Sequence, residues 1–275
     1  MKKLLMILLV LGIVFVSGCT GGGTTSSSDG ILIKSFIIDP PQVEGGETVW
    51  FILDIQNVGG SKATGVTADL VGLPVQWGTP QTKGGNDIGE LLPPEQGLEG
   101  EIASVEWSLT APPSQTTIKY PVESVVNYHY QTHTEALVRV ATRDWIRSLP
   151  QDNQQDEMNK LGQIQKSPEG GPIQTEIKVR SGTVYAGKDF RVILDIRNQG
   201  NGRPKDDIVN ISPKGFNCDE EGNIKLIQGK SRQVRCTVDT SGIDSWKNLR
   251  LDVDLDYDYS VRDTKEVTVI GSPSS

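Results

Sequence analysis

The chain's only imidazoles, His129 and His133, fall in one short run, Asn127-Tyr128-His129-Tyr130-Gln131-Thr132-His133. Imidazole can ligate a metal or act as a general base. Their spacing reads as two positions flanking a hairpin, and no remote Cys or His is placed to complete a zinc set. Two exposed histidines near a turn are therefore expected rather than a metal site, and a Ser-His-Asp triad would have to draw on one of them from a strand surface. Farther along, Asp252, Asp254, Asp256 and Asp258 alternate with Leu251, Val253, Leu255, Tyr257 and Tyr259. Carboxylates suit hard cations. Alternate residues of a strand lie about 7 Å apart, however, so neighbours cannot both wrap one ion unaided. A solvated acidic face, offset by Arg250, Arg262 and Lys265, is the simpler expectation. No Gly-x-Ser-x-Gly elbow, phosphate loop, His-Glu-x-x-His motif or dinucleotide fingerprint occurs. The chain reads as non-enzymatic, with no catalytic residue, metal or cofactor.

The N-terminus carries a different chemistry. Lys2 and Lys3 precede an apolar stretch from Leu4 to Val16, too short to span a bilayer comfortably, since that takes about 20 residues. The stretch ends in Val16-Ser17-Gly18-Cys19, which resembles the lipobox of bacterial and archaeal lipoproteins. That resemblance implies cleavage after residue 18 and a lipid on Cys19, with the chain held at the outer face of a cell membrane, extracellular or periplasm-facing. Thr20 follows, so the aspartate that retains some lipoproteins on an inner membrane is missing. Residues 19–30 continue as a Gly/Ser/Thr run that has nothing to bury and reads as a flexible leash. With Cys19 lipidated, Cys218 and Cys236 remain as a pair in an oxidising setting, where a disulfide is the default. Phe216 and Cys218 share one parity, and Val234, Cys236 and Val238 another, so both thiols are expected to point inward from neighbouring strands.

Charge narrows the partners. The formal net charge is −8, and losing Lys2 and Lys3 with the signal brings it to about −10. Phosphate backbones are held by clustered Lys and Arg, so nucleic acid is not an expected partner. The membrane is expected to be met through the lipid alone.

The elements that must position these groups are written twice. Val43, Gly46, Val49, Ile52-Leu53-Asp54-Ile55, Asn57 and Gly59 recur 141 positions later as Val184, Gly187, Phe190, Ile193-Leu194-Asp195-Ile196, Asn198 and Gly200. Asn127-Tyr128-His129-Tyr130, with Val138 and Val140, recurs at an offset of 129 as Asp256-Tyr257-Asp258-Tyr259, with Val267 and Val269. A whole domain is duplicated, and the second copy has the shorter middle. Each copy alternates apolar and polar residues over about seven short runs in roughly 100 residues, the pattern of an immunoglobulin-like sandwich. The expected fold is all-β: two tandem sandwiches at 31–141 and 172–270, joined by a polar connector at 142–171 and followed by a disordered tail at 271–275. In the connector, Met158, Leu161 and Ile164 are spaced for a short helix capped by Asp152. Strung along the leash, the first sandwich lies nearer the membrane and the second is carried outward.

The segments Pro40-Pro41-Gln42-Val43-Glu44-Gly45-Gly46-Glu47, Leu53-Asp54-Ile55-Gln56-Asn57-Val58-Gly59 and Ala63-Thr64-Gly65-Val66 resemble the CARDB type of immunoglobulin-like repeat. That family occurs on bacterial and archaeal surface proteins and is named for a suspected role in adhesion. The second copy keeps Val184, Gly187, Asn198 and Gly200 but opens on Ser181-Gly182. The resemblance implies a sandwich fold and a surface setting. Its residues shape turns and fill cores, so it assigns no ligand. Asn57 and Asn198 read as turn formers that tolerate left-handed backbone angles.

One difference between the copies points outward. Val49, Phe51, Leu53 and Ile55 form the inward set, leaving Trp50 and Ile52 on the outer face, where the second copy has Arg191 and Ile193. An exposed aromatic is a common interface anchor. Trp50, Ile52 and Trp77 are candidates for such a patch, unless the insertion from Leu73 to Leu92 folds over them. Together these features suggest a lipid-anchored surface protein whose sandwiches bind a protein, a glycan or an envelope polymer. A structural subunit of an envelope assembly is the alternative, and a secreted hydrolase the more distant one.

Overall fold

The computed structural model describes residues 28–83, 86–168, 170–180 and 183–272. The expected export signal, Cys19, most of the Gly/Ser/Thr run and the end of the tail lie outside these residues.

The fold is an all-β sandwich. The first repeat supplies β1 (Ile31–Asp39), β2 (Gln42–Glu44), β3 (Thr48–Asn57), β4 (Ala63–Val71), β5 (Gln81–Lys83), β6 (Asp87–Leu91), β7 (Ile102–Thr110) and β8 (Ile118–Ala141). Helices α1 (Arg143–Ser148) and α2 (Gln151–Lys160) follow, then β9 (Ile164–Pro168). The second repeat supplies β10 (Ile173–Val179), β11 (Phe190–Asn198), β12 (Arg203–Pro204), β13 (Ile208–Lys214), β14 (Asn217–Cys218), β15 (Gly222–Lys225), β16 (Ser231–Val238) and β17 (Trp246–Ile270).

Each repeat builds one four-stranded sheet of its own, β1-β3-β7-β5 in the first and β10-β11-β16-β14 in the second. The opposing layer is shared. β8 and β17 pair antiparallel along their whole length, from Ile118 against Val269 to Ala141 against Trp246, and weld the second sheets of both repeats into one nine-stranded sheet. At about 3.3 Å per residue these paired strands run close to 80 Å. In the ladder His129 stands opposite Asp258, which is also its counterpart in the repeat, so a local two-fold axis passes between them. The exchange is reciprocal elsewhere. β2 of the first repeat pairs parallel with the end of β17, and Tyr185 of the second bridges in parallel to Ala141 at the end of β8.

The strung-out arrangement expected from the sequence is thus replaced by two repeats side by side on one sheet. One continuous core of buried residues runs through both, from Val49, Phe51 and Trp107 to Leu194, Val234 and Tyr259. Nor does β8 stop near His129 and His133, where the sequence suggests a hairpin. Thr132 and Thr134 look like a polar break, yet both side chains are buried on the inner face, and Thr132 Oγ1 is bonded to the Tyr257 hydroxyl at 2.6 Å. Satisfying that hydroxyl lets the strand continue.

The connector also differs from expectation. The helix of Gln151–Lys160 follows Pro150, and Asp152 lies within its first turn rather than at the cap. Leu161 ends it, and Ile164 belongs to β9, which pairs with β8. Thr142 caps α1 by accepting from the Trp145 backbone N–H at 3.2 Å. Ile146 and Leu161 are buried with Ala141, and Arg139 pairs with Glu157 at 2.8 Å. These contacts fasten the connector to the end of the shared sheet.

Candidate functional site

Behind the two-fold, four tyrosines form a closed cluster. Tyr128 lies 5.9 Å from Tyr130 and 5.7 Å from Tyr259, and Tyr257 lies 6.3 Å from Tyr130 and 6.1 Å from Tyr259, ring centre to ring centre. Each hydroxyl accepts a backbone N–H: Tyr128 from Ile31, Tyr130 from Ser61, Tyr257 from Ile173 and Tyr259 from Gly202, at 3.0–3.3 Å. Both four-stranded sheets are therefore tied to the same face of the shared sheet. Burial pushes the phenols of Tyr128, Tyr257 and Tyr259 well above their ordinary pKa.

The same cluster explains the Asn-x-Gly motif. Asn57 and Asn198 do not adopt left-handed angles, in contrast to the turn-forming reason given above. Their side chains hold the loop instead. The Asn57 amide donates to the carbonyls of Ser61 and Leu91, and the Asn198 amide to those of Gly202 and Gly229. Gly59 and Gly200 are required by proximity, since a Cβ would sit 2.0 Å from the Tyr130 hydroxyl in one case and 2.9 Å from that of Tyr259 in the other.

On the opposite, outer face of the shared sheet lie the histidines and the aspartate ladder. His129 places Nδ1 3.1 Å from Asp258 and Nε2 3.3 Å from Asp256. His133 places Nδ1 2.6 Å from Asp254 and Nε2 3.9 Å from Asp252. They sit on a continuous strand rather than near a turn, and each is bracketed by carboxylates of the other repeat. Of the expected offsetting cations only Arg250 meets the ladder, at 3.0 Å from Asp252, whereas Arg262 pairs with Glu123 at 3.3 Å. Lys214 supplies a further cation, 2.8 Å from Asp254. Burial works against the Asp254 charge, but Lys214 and His133 hold its carboxyl below the usual range.

His133, Glu135 and Asp252 bring donor atoms within 4.8 Å of one another, a grouping across two strands that strand-by-strand reading of the sequence misses. Arg250 already bonds to both carboxylates there, 3.2 Å from Glu135 and 3.0 Å from Asp252. A metal ion would have to displace it.

The outer face of the β1-β3-β7-β5 sheet carries the expected aromatic. Trp50 is 42% exposed and stands between Asp39 and Ser108 on the flanking strands. One row along, half-buried Ile52 stands between Ile37, which is 50% exposed, and Glu106. A third row holds Asp54, which accepts from the hydroxyls of Ser104 and Ser35, and these bonds lower its pKa. Trp77 does not join this face. It is 3% exposed, in a one-turn 3-10 helix (Val75–Trp77), and packs edge-on to Phe51 and Tyr120 inside the sandwich. The insertion therefore plugs the core and leaves Trp50 uncovered. Ile37, whose parity places it on the outer face, is the residue that sequence reasoning overlooked.

Cys218 and Cys236 form a disulfide, directly opposite each other on β14 and β16. No helix among the described residues is long and apolar enough to cross a membrane.

No family model and no curated protein matches the chain. Among solved structures it is similar to the secreted serine protease VesC from Vibrio cholerae, at 10% identity and a TM-score of 0.21, over 78% of this chain and 48% of the protease. The chain thus spans about half the length of that protein. It is also similar to the Enterococcus faecalis MSCRAMM ACE, described as binding its ligands by the collagen Hug model, at 9% identity and a TM-score of 0.14, over 87% of this chain and 95% of that one. The collagen adhesin CNA from S. aureus gives 9%, 0.14, 88% and 89% in the same order. At these TM-scores none of the three carries an argument about this chain. The fold assignment rests on the strands and sheets themselves.

Proposed function

We propose that the chain is a non-enzymatic, lipid-anchored surface protein of two CARDB-like repeats that binds a protein, glycan or envelope polymer. The observation that supports this most is the uncovered strip of Trp50, Ile52 and Ile37 on the first repeat's outer sheet face. An exposed indole beside two isoleucines offers apolar contact that solvent does not reward, the usual composition of an interface centre. Asp54 and Glu106, on the next row and the neighbouring strand, give it a polar rim.

The two-fold fusion makes one rigid body of the two repeats. Both histidines are engaged by aspartates across the ladder, contacts that tie the two long strands together.

The test is co-sedimentation of the mature chain, made soluble by Cys19→Ser, with cell envelopes isolated from the source organism. The native surface is expected to sediment with the envelopes, and Trp50→Arg, which imports the second repeat's residue, to reduce retention by about tenfold. Equal retention of the two proteins removes the Trp50 face from the proposal. Self-association of the soluble chain at micromolar concentration, abolished by the same substitution, turns the reading to a structural subunit of an envelope assembly.

A further inference from the structure

We propose that the outer face of the β10-β11-β16-β14 sheet is an oxyanion-binding surface for a carboxylate-bearing polysaccharide, with Arg180, Arg191 and Arg235 as its ligands. The sheet register assembles the site. The Arg180 backbone N–H donates to the Arg191 carbonyl at 3.1 Å, so the two residues stand directly opposite each other at the end of the β10–β11 pair. Arg191 pairs in turn with Thr237, and Thr237 with Asn217, completing one row across four strands. The next row runs Lys178, Ile193, Arg235 and then Asp219, whose backbone N–H donates to the Arg235 carbonyl.

Arg180 and Arg191, as direct cross-strand neighbours, have Cβ atoms roughly 5 Å apart, and like charges placed so are destabilising, whereas Arg235 stands one row over, between Ile193 and Asp219. Nevertheless Arg180, Arg191 and Arg235 are all exposed and form no salt bridge among the described residues, in a chain with more acidic than basic side chains. Lys178 is different, being held by Glu176 and Asp195. The carboxylate on the rim, Asp219, has one oxygen turned to the Arg235 backbone N–H at 2.9 Å. The directly opposed guanidinium groups of Arg180 and Arg191 are a stability cost that a bound oxyanion removes, Arg235 lines the same depression, and their planar forks match carboxylates in bidentate fashion.

The rest of the lining fits a sugar chain. The depression, about 330 Å³, has Ile193 and the half-buried Cys218 as an apolar floor and Asn217 and Thr237 beside the arginines. Aliphatic surface suits the C–H face of a pyranose ring, the amide and hydroxyl suit its hydroxyls, and the guanidinium groups suit its carboxylates. No aromatic side chain lines the depression, so it lacks the stacking platform that single-stranded nucleic acid uses. The choice of a polysaccharide among polyanions rests on the surface-binding reading above, whereas the arginine cluster does not.

The test is titration of the mature Cys19→Ser chain with polygalacturonate oligomers, neutral dextran and phosphatidylglycerol vesicles. Expected are salt-sensitive binding to polygalacturonate, none to dextran, and about tenfold weakening by Arg191→Gln or Arg180→Gln. Both substitutions should also raise the melting temperature by relieving the Arg–Arg opposition, whereas a structural role for these residues would lower it. Lys265→Gln, an exposed cation on another sheet, should leave binding unchanged. The proposal is overturned if native protein does not bind polygalacturonate, if it prefers the vesicles, if the Arg180/Arg191 double variant binds as tightly as native, or if Lys265→Gln weakens binding equally. Resistance of the chain to protease on intact cells, with polygalacturonate binding intact in vitro, would count against the surface reading and leave the arginine site standing.

Discussion

Asp195 shows how a single residue is decided by its neighbours. It is 2% exposed, yet it keeps its charge because Lys178 and Arg197 reach its carboxylate at 2.7 and 2.5 Å. Burial alone would raise its pKa, but the bonds from Arg197 and Lys178 outweigh burial and lower it. A carboxyl lowered on folding contributes stability above its unfolded pKa, near 4, and loses that contribution as pH falls through the folded value. Asp195→Asn is therefore expected to cost about 2 kcal/mol at pH 7 in urea unfolding. The difference from native should shrink in the acid limb, and a constant difference down to pH 2 would contradict this. The tyrosines give the opposite sign. Because their phenols are raised by burial, their contribution is complete below pH 10 and is lost above it, when the unfolded chain ionises and the folded one resists. Urea midpoints should fall steeply above pH 10, with the share of tyrosinate absorbance that belongs to Tyr128, Tyr257 and Tyr259 rising only as the protein unfolds. The Asn-x-Gly signal was visible in the sequence, but its reason was not. Gly59→Ala drives a methyl into the Tyr130 hydroxyl and should cost about 2–4 kcal/mol, with no rescue by a residue that favours left-handed angles.

At the scale of elements, alternation located the strands well and their ends poorly. In β17 the Leu/Val/Tyr set against the Asp set was unambiguous. In β8, the run from His129 to His133 read as flanking a hairpin, because the Thr132 hydroxyl on the inner face looks polar until Tyr257 is known to bond to it. Eight strands per repeat result, where the pattern suggested about seven, the short β2, β5, β12 and β14 being the hardest to read. The cysteine pairing was legible, since parity placed both thiols inward and the charge-rich chain offered no metal set to compete. The bridge closes a segment with a sequence separation of 18 and holds two-residue β14 against β16. Replacing Cys236 by Ala, or reducing the bridge, is expected to cost roughly 3 kcal/mol. An unchanged urea midpoint under reducing conditions would show that β14 holds without it.

At the scale of the whole molecule, neither repeat is complete alone. The inner face opposite β1 and β3 is built partly from the far half of β17, including Val261, Val267 and Val269 at 5% exposure or less. A chain ending at residue 141 would leave the apolar edge of β8 unpaired. Because the two-fold passes between His129 and its counterpart Asp258, a second copy can take the place of β17 with His129 opposite His129. Residues 29–141 should therefore form a homodimer in light scattering, or fail to fold at low concentration, and a well-folded monomer would contradict the shared-sheet account. At this scale too, Cys19→Ser should move the protein from the membrane fraction to the medium or periplasm, which tests the anchor independently of the fold.

The sequence by itself determined what depends on local order: the alternation that makes strands, the duplication, the inward cysteines and the outward Trp50. Each is a property of neighbours along the chain or of one offset within it. Only the tertiary structure decided which residues meet across strands. It joined β8 to β17, set the tyrosines of both repeats in one cluster, gave each histidine aspartates from the other copy, drew Trp77 into the core and stood Arg180 against Arg191. These outcomes follow from the register between strands distant in sequence, and register is chosen by the burial of whole faces, a quantity that no single segment carries.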